Sequence, residues 1–140
     1  MRLNPDCMRA VLLEVEKAAY GQSMTAIEIT EALPKFSQDD VGYSICKLYE
    51  AKFIDAQLGK TYSVEPNTIY VKIDKVNDIT YAGHQFLANI RDDKIWKGVK
   101  GIARKIGSTS LEAFTQIASN VITELIKAQF GIGSTNSLNM

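Results

Sequence analysis

Cysteine and histidine are scarce in this 140-residue chain, which has two of the first and one of the second. Two cysteines cannot build the disulfide framework of a small secreted domain. Cys7 and Cys46 lie inside helical patterns and lack metal-ligand spacing, so they are expected as free core thiols of a reducing compartment. Net charge is also missing, because 16 basic residues balance 16 acidic ones. That balance excludes indiscriminate coating of nucleic acid, so any DNA contact must come from a local patch. No apolar run approaches the roughly 20 residues of a membrane span. The opening MRLNPDCMRAVLLEVEKAAYG is interrupted by Glu14 and Glu16 and has no small-residue cleavage pattern, so it is not read as a signal peptide. A cytoplasmic protein without a membrane partner is the expectation.

What is present is an ordinary globular composition, 46% apolar and 23% charged. Asn4-Pro5-Asp6 opens a first helix with a cap, a first-turn proline and an acid at the positive end of the dipole. Met8, Val11, Leu12, Val15 and Ala19 follow at spacings of three and four, with Gly21 as a stop. Thr25 and Glu28 have capping-box spacing at the start of a second helix, which buries Ala26, Ile29 and Leu33 and ends at Pro34. Ser37 and Asp40 repeat that spacing before a third, with Val41, Ile45, Leu48 and Tyr49 inward. Two short helices so joined match a helix-turn-helix.

The period then changes. Phe53 to Leu58 and Thr68 to Ile73 carry strand-forming residues, with turns at Gly59-Lys60 and at Glu65-Pro66-Asn67. Ile69, Val71 and Ile73 share one face. A hairpin directly after a helix-turn-helix is a wing. Thr80 caps a fourth helix with Phe86, Leu87 and Ile90; a fifth carries Trp96, Val99, Ile102, Ala103 and Ile106 and stops near Gly107. Thr109 and Glu112 are spaced to open the longest helix, Leu111 to Ile126. The expected fold is therefore mostly α with a small β-hairpin. It comprises a winged helix-turn-helix with helix four over 1–90, a C-terminal helical extension over 91–130, and a flexible tail over 131–140.

Three segments, MRLNPDCMRAVLLEVE, DDVGYSICKLYEAKFI and DITYAGHQFLANIRDDKIWKGVK, resemble the bacterial and phage family called domain of unknown function 2513. The resemblance extends over nearly all the chain except the last ten or so residues. It implies a winged-helix-like N-terminal half and a bacterial or prophage setting, and it brings no activity, substrate or catalytic residue.

Catalytic readings find little to build on. His84 lacks a readable nucleophile or orienting acid and is expected as a structural residue joining helix four to the wing, with Gly83 allowing close packing. Asp39-Asp40 and Asp92-Asp93 sit where helices start, which suits the helix dipole better than a hydrolytic pair. Gly98, Gly101 and Gly107 follow no strand and cradle no phosphate. The first two permit either close passage of a neighbouring helix or a break. No enzyme, metal or cofactor is expected.

For DNA, helix three is the expected reader, with Ser44 and Lys47 facing out, Lys35 just before it and Lys60 in the hairpin. Asp39 and Asp40 oppose that role at the end that approaches DNA. Beyond the wing the balance reverses: six basic residues and two acids lie between Arg91 and Lys105, with Lys97, Lys100 and Arg104 on one helical side. That stripe fits phosphate contact, a solvated or protein-facing surface, or a membrane surface. The leading expectation is a DNA-binding transcriptional regulator of bacterial or prophage origin that contacts double-stranded DNA through Lys35, Ser44, Lys47, Lys60, Lys97, Lys100 and Arg104. The alternative is a protein-interaction module that uses the same scaffold without DNA. Ile122 and Ile126 on the last helix are the expected homodimer contacts, the alternative being that the chain buries both edges of that helix internally.

Overall fold

A computed structural model describes residues 1–62 and 69–131, with side chains omitted at 60–62 and 69–71. The elements run α1 (Pro5–Glu16), β1 (Met24–Thr25), α2 (Ala26–Ala32), α3 (Gln38–Glu50), β2 (Ile54–Tyr62), β3 (Ile69–Ile79), α4 (Tyr81–Ile90), α5 (Asp93–Ile106) and α6 (Leu111–Phe130). The chain divides into two compact units, Met1–Leu87 and Ala88–Met140.

The first unit is a winged helix-turn-helix: three helices, then a hairpin whose strand β3 also pairs with β1, giving the sheet order β1-β3-β2. The expected start signals hold. Asn4 Oδ1 accepts from Cys7 N at 3.2 Å, and Ser37 Oγ accepts from Asp40 N at 3.0 Å. Thr25 closes a full capping box, its Oγ1 accepting from Glu28 N at 3.0 Å while Glu28 Oε1 accepts from Thr25 N at 3.2 Å. Thr25 also pairs with Lys75 of β3, so one residue ends a strand and caps a helix. Helix α1 ends a turn before Gly21, and Ala19, expected in the core stripe, is exposed.

Expectation and structure part at the hairpin. Gly59 and Lys60 are not a turn; they lie inside β2, paired with Lys72 and Val71. The turn expected at Glu65-Pro66-Asn67 falls outside the described residues, as does all of the tail beyond Gly131. Alternate residues of β2, Ile54, Ala56 and Leu58, step by two, but their partners on β3, Ile79, Val76 and Ile73, step by three; of the three on β2 Ile54 is buried and Leu58 is exposed. Two bulges, passing over Asn77 and Asp74, absorb the difference and keep Ile73, Val76 and Ile79 buried.

Helix α3 ends in a Schellman turn, with Phe53 N donating to Leu48 O and Lys52 N to Tyr49 O, both at 2.9 Å. Lys52 takes the left-handed position at φ 63°, where glycine is the usual occupant. Phe53 then bridges three elements. Its carbonyl accepts from Thr80 N at 3.0 Å, and its ring stacks on Phe86 with centroids 5.2 Å apart. Thr80 Oγ1 donates to Lys52 O at 2.6 Å and accepts from Gly83 N at 3.1 Å, starting α4. A Cβ on Gly83 would overlap the Phe53 carbonyl oxygen and stand 2.7 Å from Ile79 Cγ2.

In the second unit, Asp92 caps α5 by accepting from Lys94 N and Ile95 N at 2.9 and 3.0 Å. Gly107, at φ 80°, ends that helix in the left-handed region. The cap of α6 is Ser110, which accepts from Ala113 N at 3.1 Å, and not the expected Thr109. Trp96 and Phe114 pack with ring centroids 5.6 Å apart, and Val99, Ala103, Ile117 and Ala118 are buried with them.

Gly83→Ala should cost about 2 kcal/mol or more, because backbone rather than a flexible side chain blocks the added methyl. Lys52→Gly should gain about 1 kcal/mol by relieving the left-handed lysine. Chemical denaturation of the two variants checks both signs, and a Gly83→Ala protein as stable as the parent would contradict the Phe53 contact.

Candidate nucleic-acid interface

The outward face of α3 is poor in free positive charge. Three carboxylates, Asp39, Asp40 and Glu50, stand against one ammonium, Lys47. Lys47 Nζ donates to both Glu50 carboxylate oxygens at 3.0 and 3.1 Å and lies 5.2 Å from the centroid of the Tyr43 ring. The bond to Glu50 raises its pKa above the ordinary lysine value, so the ammonium is present but already partnered.

Ser44, expected to face out, is instead fully buried. The helix turns it toward α1, and its hydroxyl forms no well-shaped hydrogen bond among the described residues. The polar group within its influence is the Cys7 thiol. Burial pushes that thiol above its ordinary pKa, Ser44 opposes the shift, and Asp40 adds to it. Cys46, half-buried, is raised by burial and then by Glu50. Both thiols are free. Lys35 is exposed, its Nζ 5.5 Å from the Phe36 ring centroid. The Lys60 side chain lies outside the described residues.

His84 is expected to join helix four to the wing, and residues of β3 do stand beside it. It is exposed, and Gly83 beside it does the packing. It borders a cavity of about 240 Å³ with Val15, Tyr20, Val76 and Asp78. Among the described residues no group of three or more histidines, cysteines or acids is placed to hold a metal ion. None of their helices is long and apolar enough to cross a membrane.

Helix α5 is different. It buries Trp96, Val99 and Ala103 on one edge and carries Lys94, Lys97, Lys100, Arg104 and Lys105 against a single acid, Asp93. At about 100° per residue, the five cations fall within an arc of roughly 140° opposite the buried edge. Lys94, Lys97, Arg104 and Lys105 are exposed, and among the described residues their side chains meet no carboxylate. Lys100 is half-buried, with Nζ 5.7 Å from the Trp96 ring centroid. The two glycines of α5 neither break it nor admit a neighbour: the helix is continuous, and a Cβ at Gly98 or Gly101 would meet no atom within 4 Å among the described residues.

Helix α6 buries Phe114, Ile117 and Ala118 in its first half only. Beyond them Ile122 is half-buried, and Leu125, Ile126 and Phe130 are 47%, 48% and 70% exposed. Ile102, Ile106, Ile117, Val121 and Leu125 line an open apolar groove of about 470 Å³ between α5 and α6.

The family profile described as "Hypothetical protein (DUF2513)" matches residues 2–110, and the chain belongs to that family. The match ends just before α6, short of the extent expected from the sequence. An uncharacterized protein of Haemophilus influenzae is 25% identical over 127 residues, spanning 90% of this chain and 99% of the relative. Two solved structures are similar at low scores. Staphylococcus aureus MarR in complex with salicylate and kanamycin has 18% identity and a TM-score of 0.38, over 87% of this chain and 71% of that one. Bacillus subtilis PadR in complex with operator DNA has 19% identity and a TM-score of 0.41, over 95% and 81%.

Ser44→Ala should leave stability unchanged or raise it by up to about 1 kcal/mol, since it removes a buried hydroxyl that lacks a good partner. A loss of more than that in chemical denaturation would mean that Ser44 Oγ makes a bond of real strength.

Proposed function

We propose that this chain is a bacterial DNA-binding transcriptional regulator whose phosphate contacts are made chiefly by α5. The observation that carries this reading is the face of α5, where Lys94, Lys97, Arg104 and Lys105 stand exposed without carboxylate partners among the described residues. Phosphate recognition needs free cations, because each contact gains by releasing counterions from the duplex. On α3 the cation is spent on Glu50, and Asp39 and Asp40 repel phosphate at the helix start. The winged helix then contributes shape, and α5 contributes charge.

A second reading, a protein-interaction module without DNA, is favoured by that same acidic α3 surface. The two readings differ in which helix a partner must touch. Under either, the apolar second half of α6 is proposed as the seam of a homodimer that includes Ile122 and Ile126. A helix end with no buried residue gains little stability alone and is better sustained by a partner.

Binding to duplex DNA, followed as a function of salt, tests the first reading. The parent should bind at low salt, and Lys97→Ala and Arg104→Ala should each reduce the slope of log K against log salt by about 0.9. Lys47→Ala should change it little. No binding at low salt by folded protein would refute the DNA role. Sedimentation at micromolar concentrations tests the seam: a dimer is expected, and Ile122→Glu or Ile126→Glu should dissociate it without unfolding. A parent that stays monomeric would overturn it.

A further inference from the structure

Gly98 and Gly101 have no account in the packing of the described residues. Glycine is the poorest helix former after proline, yet both stand inside a continuous helix, Asp93–Ile106. Neither has a positive φ, and neither would bring a Cβ within 4 Å of any atom among the described residues. Close packing and turn geometry, the two usual reasons for glycine in a helix, are therefore both missing among the described residues.

Their place on the helix is informative. At about 100° per residue, Gly101 falls inside the arc of cations, between Lys97 and Arg104 on one side and Lys94 and Lys105 on the other. It lies nearly opposite the buried edge of Trp96, Val99 and Ala103. Gly98 falls at the rim of the same face, beside Lys105. The middle of the most positive surface of α5 is thus bare main chain, framed by side chains long enough to reach past it.

We propose that this bare strip is where a DNA backbone seats against α5, with the phosphates drawn onto the helix between the flanking cations at closer range than a Cβ would allow. This rests on the DNA reading above and specifies its geometry. Charge complementarity names the occupant: Lys94, Lys97, Arg104 and Lys105, exposed and without carboxylate partners among the described residues, surround the strip, and a polyanion is the surface that gains most by close approach to them. Lys97 and Arg104, two turns apart, lie about 10 Å from each other along the axis and can grip the strand on either side of Gly101.

The proposal makes stability and binding move in opposite directions. Gly101→Ala and Gly98→Ala should each raise the denaturation midpoint, because alanine favours the helix and meets no obstacle among the described residues. Each should also weaken binding to random-sequence duplex DNA, Gly101→Ala by roughly tenfold, as loss of one good contact to the duplex would. Lys97→Ala serves as the control. A parent that binds, with Lys97→Ala weakened and both alanine variants stabilised but binding like the parent, would overturn the close seat and leave the DNA reading intact. A parent that does not bind overturns both. Loss of self-association in Gly101→Ala, with DNA binding unchanged, would also overturn the proposal and assign the strip to a crossing between copies of this chain.

Discussion

The peptide unit of Phe53 is where α3, the wing and α4 are fastened together, and each of its groups has a separate task. Its N–H closes the end of α3 on Leu48, its carbonyl receives Thr80 N as β3 gives way to α4, and its ring stacks on Phe86. Such an arrangement leaves no room for a side chain where α4 crosses, and Gly83 supplies the gap. Lys52, held at positive φ just before, turns the chain sharply enough for the corner to form. The root of the hairpin is thereby tied to the end of α3. Further along, the bulges at Asn77 and Asp74 let β3 keep its apolar residues inward while pairing with a strand of different step.

Much of this organisation is legible in the residues. The caps at Asn4, Thr25 and Ser37 are local chemistry, and local chemistry can be read from sequence. Gly83 was legible as a close-packing residue, although its contact is with the Phe53 backbone and the histidine beside it is exposed. Strand β1 was not legible, because two residues are too short to show a period. The bulges were hidden for a related reason: strict alternation is the strand signal, and β3 departs from it. Ser44 was misplaced because a serine within an apolar stripe reads as polar and therefore outward, whereas the helix phase sets it against α1. Thr109 and Ser110 are equally good caps by composition, and only the backbone decides between them.

Charge is distributed against the usual expectation for a helix-turn-helix. Helix α3 has a single ammonium held by its own Glu50, whereas among the described residues Lys94, Lys97, Arg104 and Lys105 cluster on α5 without a carboxylate partner, and Lys35, Lys52 and Lys72 stand exposed singly in the first unit. The family profile ends before α6, so the apolar half of that helix lies beyond the part of the chain that the profile describes.

The most direct measurement is a residue-by-residue map of backbone amide shifts as duplex DNA is titrated into the labelled protein. The account predicts that the largest changes fall between Lys94 and Lys105, with Gly98 and Gly101 among them, and that the amides around Asp39, Asp40 and Lys47 change less. Changes concentrated on α3 with α5 unmoved would contradict it.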